Sequence, residues 1–198
     1  MYVKSSCFVV TALSLVTLAG CSGSVDPEEQ SGDVEEQAAA LAHGGAPEVP
    51  AVLAVPEGNR LAFALDATGQ QIYGCQATTT GYGWVLIAPD ADLFKRNGRI
   101  AGTHYAGPTW EALDGSTVVG ARVAAYNADP TAIPWLLLSA ASHAGSGKMS
   151  KVSFIHRLDT TGGLAPATGC DAEHVGAQSS IDYTATYYFY EPKKNCDH

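Results

Sequence analysis

Short segments rich in β-branched and aromatic residues, separated by Gly-containing turns, fill the chain from residue 56 onward. Residues 151–158 alternate strictly, so that Val152, Phe154, His156 and Leu158 share one face of an extended strand. No segment shows the 3.6-residue periodicity of a convincing helix. This pattern predicts an all-β domain, built as an antiparallel β-sandwich or barrel with long loops.

The individual strands can be placed by the same signals. Residues 61–65 and 71–76 are predicted to form a hairpin around a turn at 66–69, whose sequence is Asp-Ala-Thr-Gly. Residue Gly120 predicts a bulge in the strand that contains it. The apolar segment 133–141 fits either a buried strand or a short helix, because periodicity does not distinguish the two in so short a segment. Further strands are predicted at 84–87, 117–126 and 183–190.

The first 20 residues are predicted to be a targeting signal. Lys4 precedes 12 mostly apolar residues, too few to cross a bilayer core of about 30 Å, and the segment ends in Leu18-Ala19-Gly20-Cys21. This ending resembles the bacterial lipoprotein signal, which implies that Cys21 is lipidated and forms the mature N-terminus. Ser22 after the cysteine implies sorting to the outer membrane of a Gram-negative bacterium. The alternative is an ordinary secretory signal that happens to precede a cysteine.

Residues 21–55 are predicted to be an acidic, flexible and disordered tether between the anchor and the domain. Between residues 22 and 56 there are seven carboxylates and no Lys or Arg. The whole chain carries a net charge of −9, but residues 57–198 hold 10 basic and 13 acidic residues, or −3. This acidic balance argues against a nucleic-acid partner, which would require clustered Lys and Arg. The remaining residues, 56–198, are predicted to form a single β-domain with a polar tail from about residue 191.

The five cysteines indicate an oxidising compartment. Cys7 lies in the signal and Cys21 carries the lipid, which leaves Cys75, Cys170 and Cys196 with three possible pairings. We favour a Cys75–Cys170 disulfide because Cys196 lies in the polar tail. A metal site built from these cysteines is the alternative, but the chain lacks the C-x-x-C spacing that such sites commonly use.

Seven segments of the domain are distinctive together: 55–63, 71–75, 102–110, 114–116, 133–138, 161–166 and 169–171. They resemble a secreted family of bacteria and fungi known as domain of unknown function 3455. The resemblance covers most of the domain, and both Cys75 and Cys170 fall within it. The family has no established activity, so the resemblance implies an identity without a mechanism.

The densest group of polar and aromatic side chains lies in residues 104–116. An enzyme or metal site could centre on His104, with Glu111, Asp114 or His156 completing it, because imidazole titrates near neutrality. The alternative is a Gly-Pro corner followed by an Asp114-Gly115 turn. Ligand-binding candidates are the aromatic side chains of Tyr105, Trp110 and Trp84, which could stack against a sugar or form a partner surface, or else lie in the core.

His143 adds a third imidazole, and His104, His143 and His156 together form a candidate metal site. Their spacing matches no known motif, and a lone histidine on an apolar strand face is usually a hydrogen-bonded core residue, so we predict no cofactor. These observations predict a lipid-anchored extracytoplasmic protein, most simply a binding or envelope-surface module for a glycan or an envelope protein. The alternatives are a metal-binding protein or enzyme centred on His104, and a purely structural envelope component.

Overall fold

A computed structural model describes residues 45–194 of the chain. The predicted signal at 1–20, the lipidation site Cys21, residues 21–44 of the predicted tether and Cys196 lie outside the described residues. Residues 45–194 contain no helix that is long and apolar enough to cross a membrane.

Eight antiparallel strands pair in chain order and close into a barrel, because β8 returns to pair with β1. The prediction of an all-β fold is therefore confirmed, and of its two forms the barrel is the one observed. A short 3-10 helix at Ala51–Leu53 precedes the strands. The strands are β1 Asn59–Thr78, β2 Gly81–Phe94, β3 Ile100–Tyr105, β4 Thr109–Ala112, β5 Thr117–Tyr126, β6 Trp135–Ala144, β7 Phe154–Gly162 and β8 Gln178–Pro192.

Strand β1 runs without a break through residues 66–69, so the predicted hairpin turn there is wrong. Gly69 pairs with Ala91 on one side and with Tyr183 on the other. A side chain at Gly69 would collide with the backbone of Asp90 and Ala91, so the glycine permits close strand approach rather than a turn. The turn between β1 and β2 lies further on, at residues 78–81.

Strand β6 covers most of the segment that the sequence left open between strand and helix. The predicted bulge at Gly120 is confirmed by a shift in the register between β5 and β6. This glycine also has a packing role, because the indole of Trp110 lies directly over its bare backbone. Together with Tyr187 and Phe189, Trp110 fills the centre of the barrel in edge-to-face contacts.

A second apolar cluster covers the outer wall of β6, β7 and β8. Leu53 lies at its centre with 0% of its surface exposed, and Val49 and Val55 pack beside it. The folded domain therefore begins before residue 56, where the sequence placed its boundary with the tether. The reason is that residues 49–55 are apolar, and three of them cover a hydrophobic strip on the barrel wall.

A disulfide joins Cys75 to Cys170, which confirms the predicted pair. It ties strand β1 to the long connection between β7 and β8. This connection covers one end of the barrel, where the hydroxyl of Tyr73 donates a hydrogen bond of 2.6 Å to the carbonyl oxygen of Gly163. We call this the upper end, and the end at which β1 begins and β8 finishes the lower end.

Candidate functional site

His104 lies inside the barrel, on strand β3, and is nearly inaccessible to solvent. Its Nδ1–H donates a hydrogen bond of 2.8 Å to the carbonyl oxygen of Thr109, and its ring stacks on Trp110 at 4.2 Å between centroids. Burial lowers the pKa of His104 to about 3, against the weaker opposing effect of the Thr109 hydrogen bond. The imidazole is therefore neutral at ordinary pH and is a weak base.

The two carboxylates that the sequence grouped with His104 do not meet it. Glu111 pairs with Thr103 across the sheet, so it faces outward, whereas His104 and its partner Trp110 face inward. The Glu111 carboxylate instead accepts a hydrogen bond of 2.7 Å from the hydroxyl of Tyr105, at the surface. This hydrogen bond is the leading cause of a raised pKa for Tyr105.

Asp114 lies in the turn between β4 and β5 and organises a neighbouring loop. Its carboxylate accepts hydrogen bonds from the backbone N–H of Ser116 at 3.0 Å and from that of Lys148 at 2.8 Å. The Ser116 hydroxyl oxygen in turn accepts from the backbone N–H of Met149 at 3.0 Å. The Ser116 hydroxyl also donates to the Asp114 carboxylate, and this bond, followed by those from the Lys148 and Ser116 backbone, lowers the pKa of Asp114. The bonds to Lys148 and Met149 fix the loop that joins β6 to β7.

The three candidate metal-binding histidines are held separately by backbone carbonyls. His156 donates from Nε2 to the Leu53 carbonyl oxygen at 2.7 Å, and its Nδ1 accepts from the Tyr190 hydroxyl at 3.1 Å. Burial lowers the pKa of His156. His143 donates from Nε2 to the Val152 carbonyl oxygen at 2.7 Å. In the described part of the chain, no three His, Cys, Asp or Glu side chains are grouped so as to hold a metal ion.

The aromatic candidates lie in different surroundings. Trp110 is 1% exposed and belongs to the barrel core, whereas Tyr105 is 37% exposed on the outer wall. The indole N–H of Trp84 donates a hydrogen bond of 2.8 Å to the carbonyl oxygen of Thr168, in the connection that covers the upper end. The structure therefore does not bring Tyr105, Trp84 and Trp110 together into one stacking surface.

A cleft at the lower end gathers residues that sequence reasoning did not group. It has a volume of about 670 Å³. We call it the basic cleft, because five of the residues that line it are cationic: Arg60, Lys148, Lys151, Lys193 and Lys194. Its one carboxylate, Glu191, is paired with Arg60 at 3.1 Å. The ammonium group of Lys148 lies 4.0 Å from the centroid of the Phe63 ring, where a cation is attracted by the π-face.

The positive charge continues beyond the cleft. Residues 45–194 contain ten Lys and Arg. Besides the five in the cleft, the connection between β2 and β3 adds three at the same end: Lys95, Arg96 and Arg99. Eight of the ten cationic side chains are thus placed at the lower end. The sequence hides this concentration, because the strand order brings together residues as distant as Arg60 and Lys194.

A second group of polar side chains lies inside the upper half of the barrel. The Arg157 guanidinium donates from Nε at 3.1 Å and from Nη2 at 2.8 Å to the Pro134 carbonyl oxygen. Its positive charge opposes the burial that raises the pKa values of Tyr73, Tyr183 and Tyr187. We call Gln71, Arg157 and these three tyrosines the interior polar cluster.

Comparison with known proteins identifies the family. The family model described as "Protein of unknown function (DUF3455)" matches residues 56–191. The chain belongs to the DUF3455 family. No curated protein and no solved structure matches the chain.

The DUF3455 segment contains the whole interior polar cluster and most of the basic cleft; only Pro192, Lys193 and Lys194 of the cleft lie beyond it. One signal for the interior polar cluster was present in the sequence. Arg157 lies on the same face of β7 as Ile155, whose side chain is in the barrel core. The alternation of residues 151–158 therefore turns Arg157 toward the interior if that face is the buried one. Both faces of β7 are in fact covered, one by the barrel core and the other by Leu53.

Proposed function

We propose that this DUF3455 protein is a lipid-anchored, extracytoplasmic binding module of the cell envelope, and that its basic cleft binds an anionic glycan. The observation that carries the proposal is the gathering of eight of the ten Lys and Arg of residues 45–194 at one end of the barrel, five of them around one cleft. A concave surface of one charge attracts and concentrates ligands of the opposite charge.

The size and lining of the basic cleft favour a small anionic chain over an extended one. Its volume of about 670 Å³ lies within the usual range of small-molecule sites, roughly 300–1,000 Å³. The lysines can each meet a separate carboxylate or phosphate, and the Phe63 ring supplies a flat apolar face for a sugar. We propose a glycan in preference to a nucleic acid because the N-terminal segment predicts export from the cytoplasm.

The proposed location follows from the N-terminus. A lipid on Cys21 would hold the protein at a membrane, in our proposal the outer membrane of a Gram-negative bacterium, where anionic glycans are abundant. The folded domain is attached to that anchor through the segment 22–44. The loop that carries Lys148 is fixed by its hydrogen bonds to Asp114 and Ser116 before any ligand arrives, so the basic cleft is preorganised for binding.

The test is a calorimetric titration with a matched pair of ligands. The purified full-length chain is titrated with a galacturonate trisaccharide and with its fully methyl-esterified, uncharged form. The anionic sugar is expected to bind and the ester not to bind, because only the former offers carboxylates to the lysines. The double variant Lys148→Glu/Lys151→Glu should weaken binding of the anionic sugar about tenfold or more, because it replaces two attractive charges in the cleft with repulsive ones. A tenfold loss corresponds to about 1.4 kcal/mol.

The matched control is Lys95→Glu/Arg96→Glu, which makes the same change in net charge at the same end but outside the cleft. It should change the affinity only about twofold, because exposed charges farther from the ligand are screened by salt. Equal losses in the two double variants would contradict a site in the cleft. Equal binding of the acid and its methyl ester would contradict an anionic ligand.

A further inference from the structure

The interior polar cluster contains a positive charge without a counterion. The Arg157 guanidinium is only partly buried in the barrel, where it donates two hydrogen bonds to the Pro134 carbonyl oxygen and lies beside the Tyr187 hydroxyl. Among residues 45–194, its charge is paired with no carboxylate. A charge removed from water is costly unless it is paired, and a guanidinium pairs best with a carboxylate.

Buried donors in the same interior also lack partners. The side-chain amide nitrogen of Gln71, a residue that is 2% exposed, lies beside the Tyr183 hydroxyl but forms no hydrogen bond of standard geometry within the described residues. Within the same residues, the indole nitrogen of Trp110 likewise forms none. Because native proteins leave few buried donors unsatisfied, such groups commonly mark a water or a ligand that completes them. These groups all donate hydrogen bonds, so the missing partner is an acceptor.

Tyrosines connect these groups into one continuous lining. The Arg157 guanidinium is beside the hydroxyl of Tyr187, which lies 3.4 Å from that of Tyr183. Gly163 covers both Gln71 and Tyr183, because its backbone passes close to the two side chains. Tyr187 also contacts Trp110 at 5.2 Å between ring centroids.

We propose that the interior polar cluster binds a small carboxylate, with one oxygen on the Arg157 guanidinium and the other on the amide of Gln71. The chemistry of the lining supports an anion, since it offers a cation, an amide donor and phenolic hydroxyls but no negative group of its own. The ligand would be a few heavy atoms in size, because large aromatic side chains fill the centre of the barrel below it. Arg157 is only partly buried, so its side chain is in contact with solvent.

The positive φ of Gly163 fits a covering role. Its φ of +76° lies in the left-handed region, and a side chain there would collide with Tyr183 and crowd Ile133 and Gln71. The chain can therefore pass directly over the interior polar cluster only with glycine at this position. Ile133 is fixed in the same cover, because its carbonyl oxygen accepts a hydrogen bond of 2.6 Å from the Thr160 hydroxyl.

The experiment compares acetate with acetamide, which has the same shape without the charge. The melting temperature of the purified full-length chain is measured at pH 7 and constant ionic strength, with sodium chloride replaced stepwise by sodium acetate. We expect a saturable rise of about 5 °C or more at a hundredfold excess over Kd, and no rise with acetamide. No rise with acetate would overturn the proposal and assign the unpaired donors to water.

Variants then locate the effect. Arg157→Met should abolish the acetate-dependent rise, whereas Arg122→Met, at an exposed arginine on β5, should retain it. Gln71→Glu places a carboxylate of the protein itself in the cluster, so it should raise the melting temperature without acetate and remove the response to acetate. It also keeps the test decisive if Arg157→Met fails to fold.

Two outcomes would overturn the assignment even if acetate stabilises the chain. The first is a response to acetate that persists in Gln71→Glu. The second is a response that disappears in Lys148→Glu/Lys151→Glu, because the acetate would then occupy the basic cleft. The interior site and the glycan site are thereby tested by different ligands and different variants, so either can fail alone.

Discussion

The neutral imidazole of His104 links the stability of the barrel to pH. In the unfolded chain a histidine titrates near pH 6.5, whereas in the barrel the pKa of His104 is about 3. Below pH 6.5 the unfolded state therefore binds more protons than the folded state, and stability falls as the pH falls. Above pH 6.5 both states are neutral at this position and the effect is absent.

We expect the free energy of unfolding to decrease by about 2 kcal/mol from His104 alone between pH 6.5 and pH 5. The lowered pKa of His156 adds to the decrease. Urea unfolding of the wild type and of His104→Phe at pH 7, 6 and 5 measures it. The variant should be less stable at pH 7, because it leaves the Thr109 carbonyl without its donor, but its stability should depend less on pH.

Trp110→Phe is the control for this prediction. It removes part of the ring that stacks on His104 without removing a titrating group, so it should lower stability at every pH and keep the slope of the wild type. Identical slopes in His104→Phe and the wild type would contradict a buried neutral imidazole at this position.

Among the structural elements, the N-terminal segment with its 3-10 helix is the one whose role the sequence did not indicate. Its Leu53 is completely buried against Leu137, Leu158 and Tyr188, and the backbone carbonyl of Leu53 accepts the hydrogen bond from His156. The segment thereby covers an apolar strip of the barrel wall that would otherwise face water. It acts as part of the core, although it lies outside the barrel.

We expect Leu53→Ala to lower the free energy of unfolding by about 2–5 kcal/mol, through lost burial and the cavity left behind. Val52→Ala is the matched control, because Val52 is the preceding residue and is 56% exposed. It should change stability by about 0.5 kcal/mol or less. Denaturant unfolding at pH 7 measures both, and equal losses in the two variants would contradict the packing described here.

Most strands and the disulfide could be predicted from sequence, because they depend on local alternation and on excluding the cysteines at either end of the chain. The hairpin at 66–69 could not, because Asp-Ala-Thr-Gly has turn chemistry locally and only pairing on both sides of β1 keeps it extended. The grouping of His104 with Glu111 fails for a related reason. His104 pairs with Trp110, and Glu111, the residue after Trp110, points to the opposite face of the same strand. Only the closed barrel shows which of these faces is inside.

On the scale of the whole molecule, charge is separated between the two ends of the barrel. The connections at the upper end, residues 78–81, 106–108, 127–134 and 163–177, contain Asp129, Asp171 and Glu173 and no Lys or Arg. The lower end carries the eight cationic side chains described above, against the carboxylates of Glu57, Asp114 and Glu191. This separation could not be predicted from composition, because a net charge of −3 over residues 57–198 averages the two ends together.

The separation also assigns different tasks to the two ends. The upper end is closed by the connection between β7 and β8, which the Cys75–Cys170 disulfide ties down, and it covers the interior polar cluster. The lower end is open in the basic cleft and offers its cations to solvent. An anionic ligand approaching the molecule is therefore drawn to the lower end.

Ligand binding at the lower end can be tested by an NMR titration of the full-length chain with the galacturonate trisaccharide. Binding there predicts saturable chemical-shift changes in the backbone amides of Gly147, Lys148, Lys151 and Lys193, and little change near Cys170 at the upper end. Changes concentrated around the upper end, or none at saturating sugar, would contradict it.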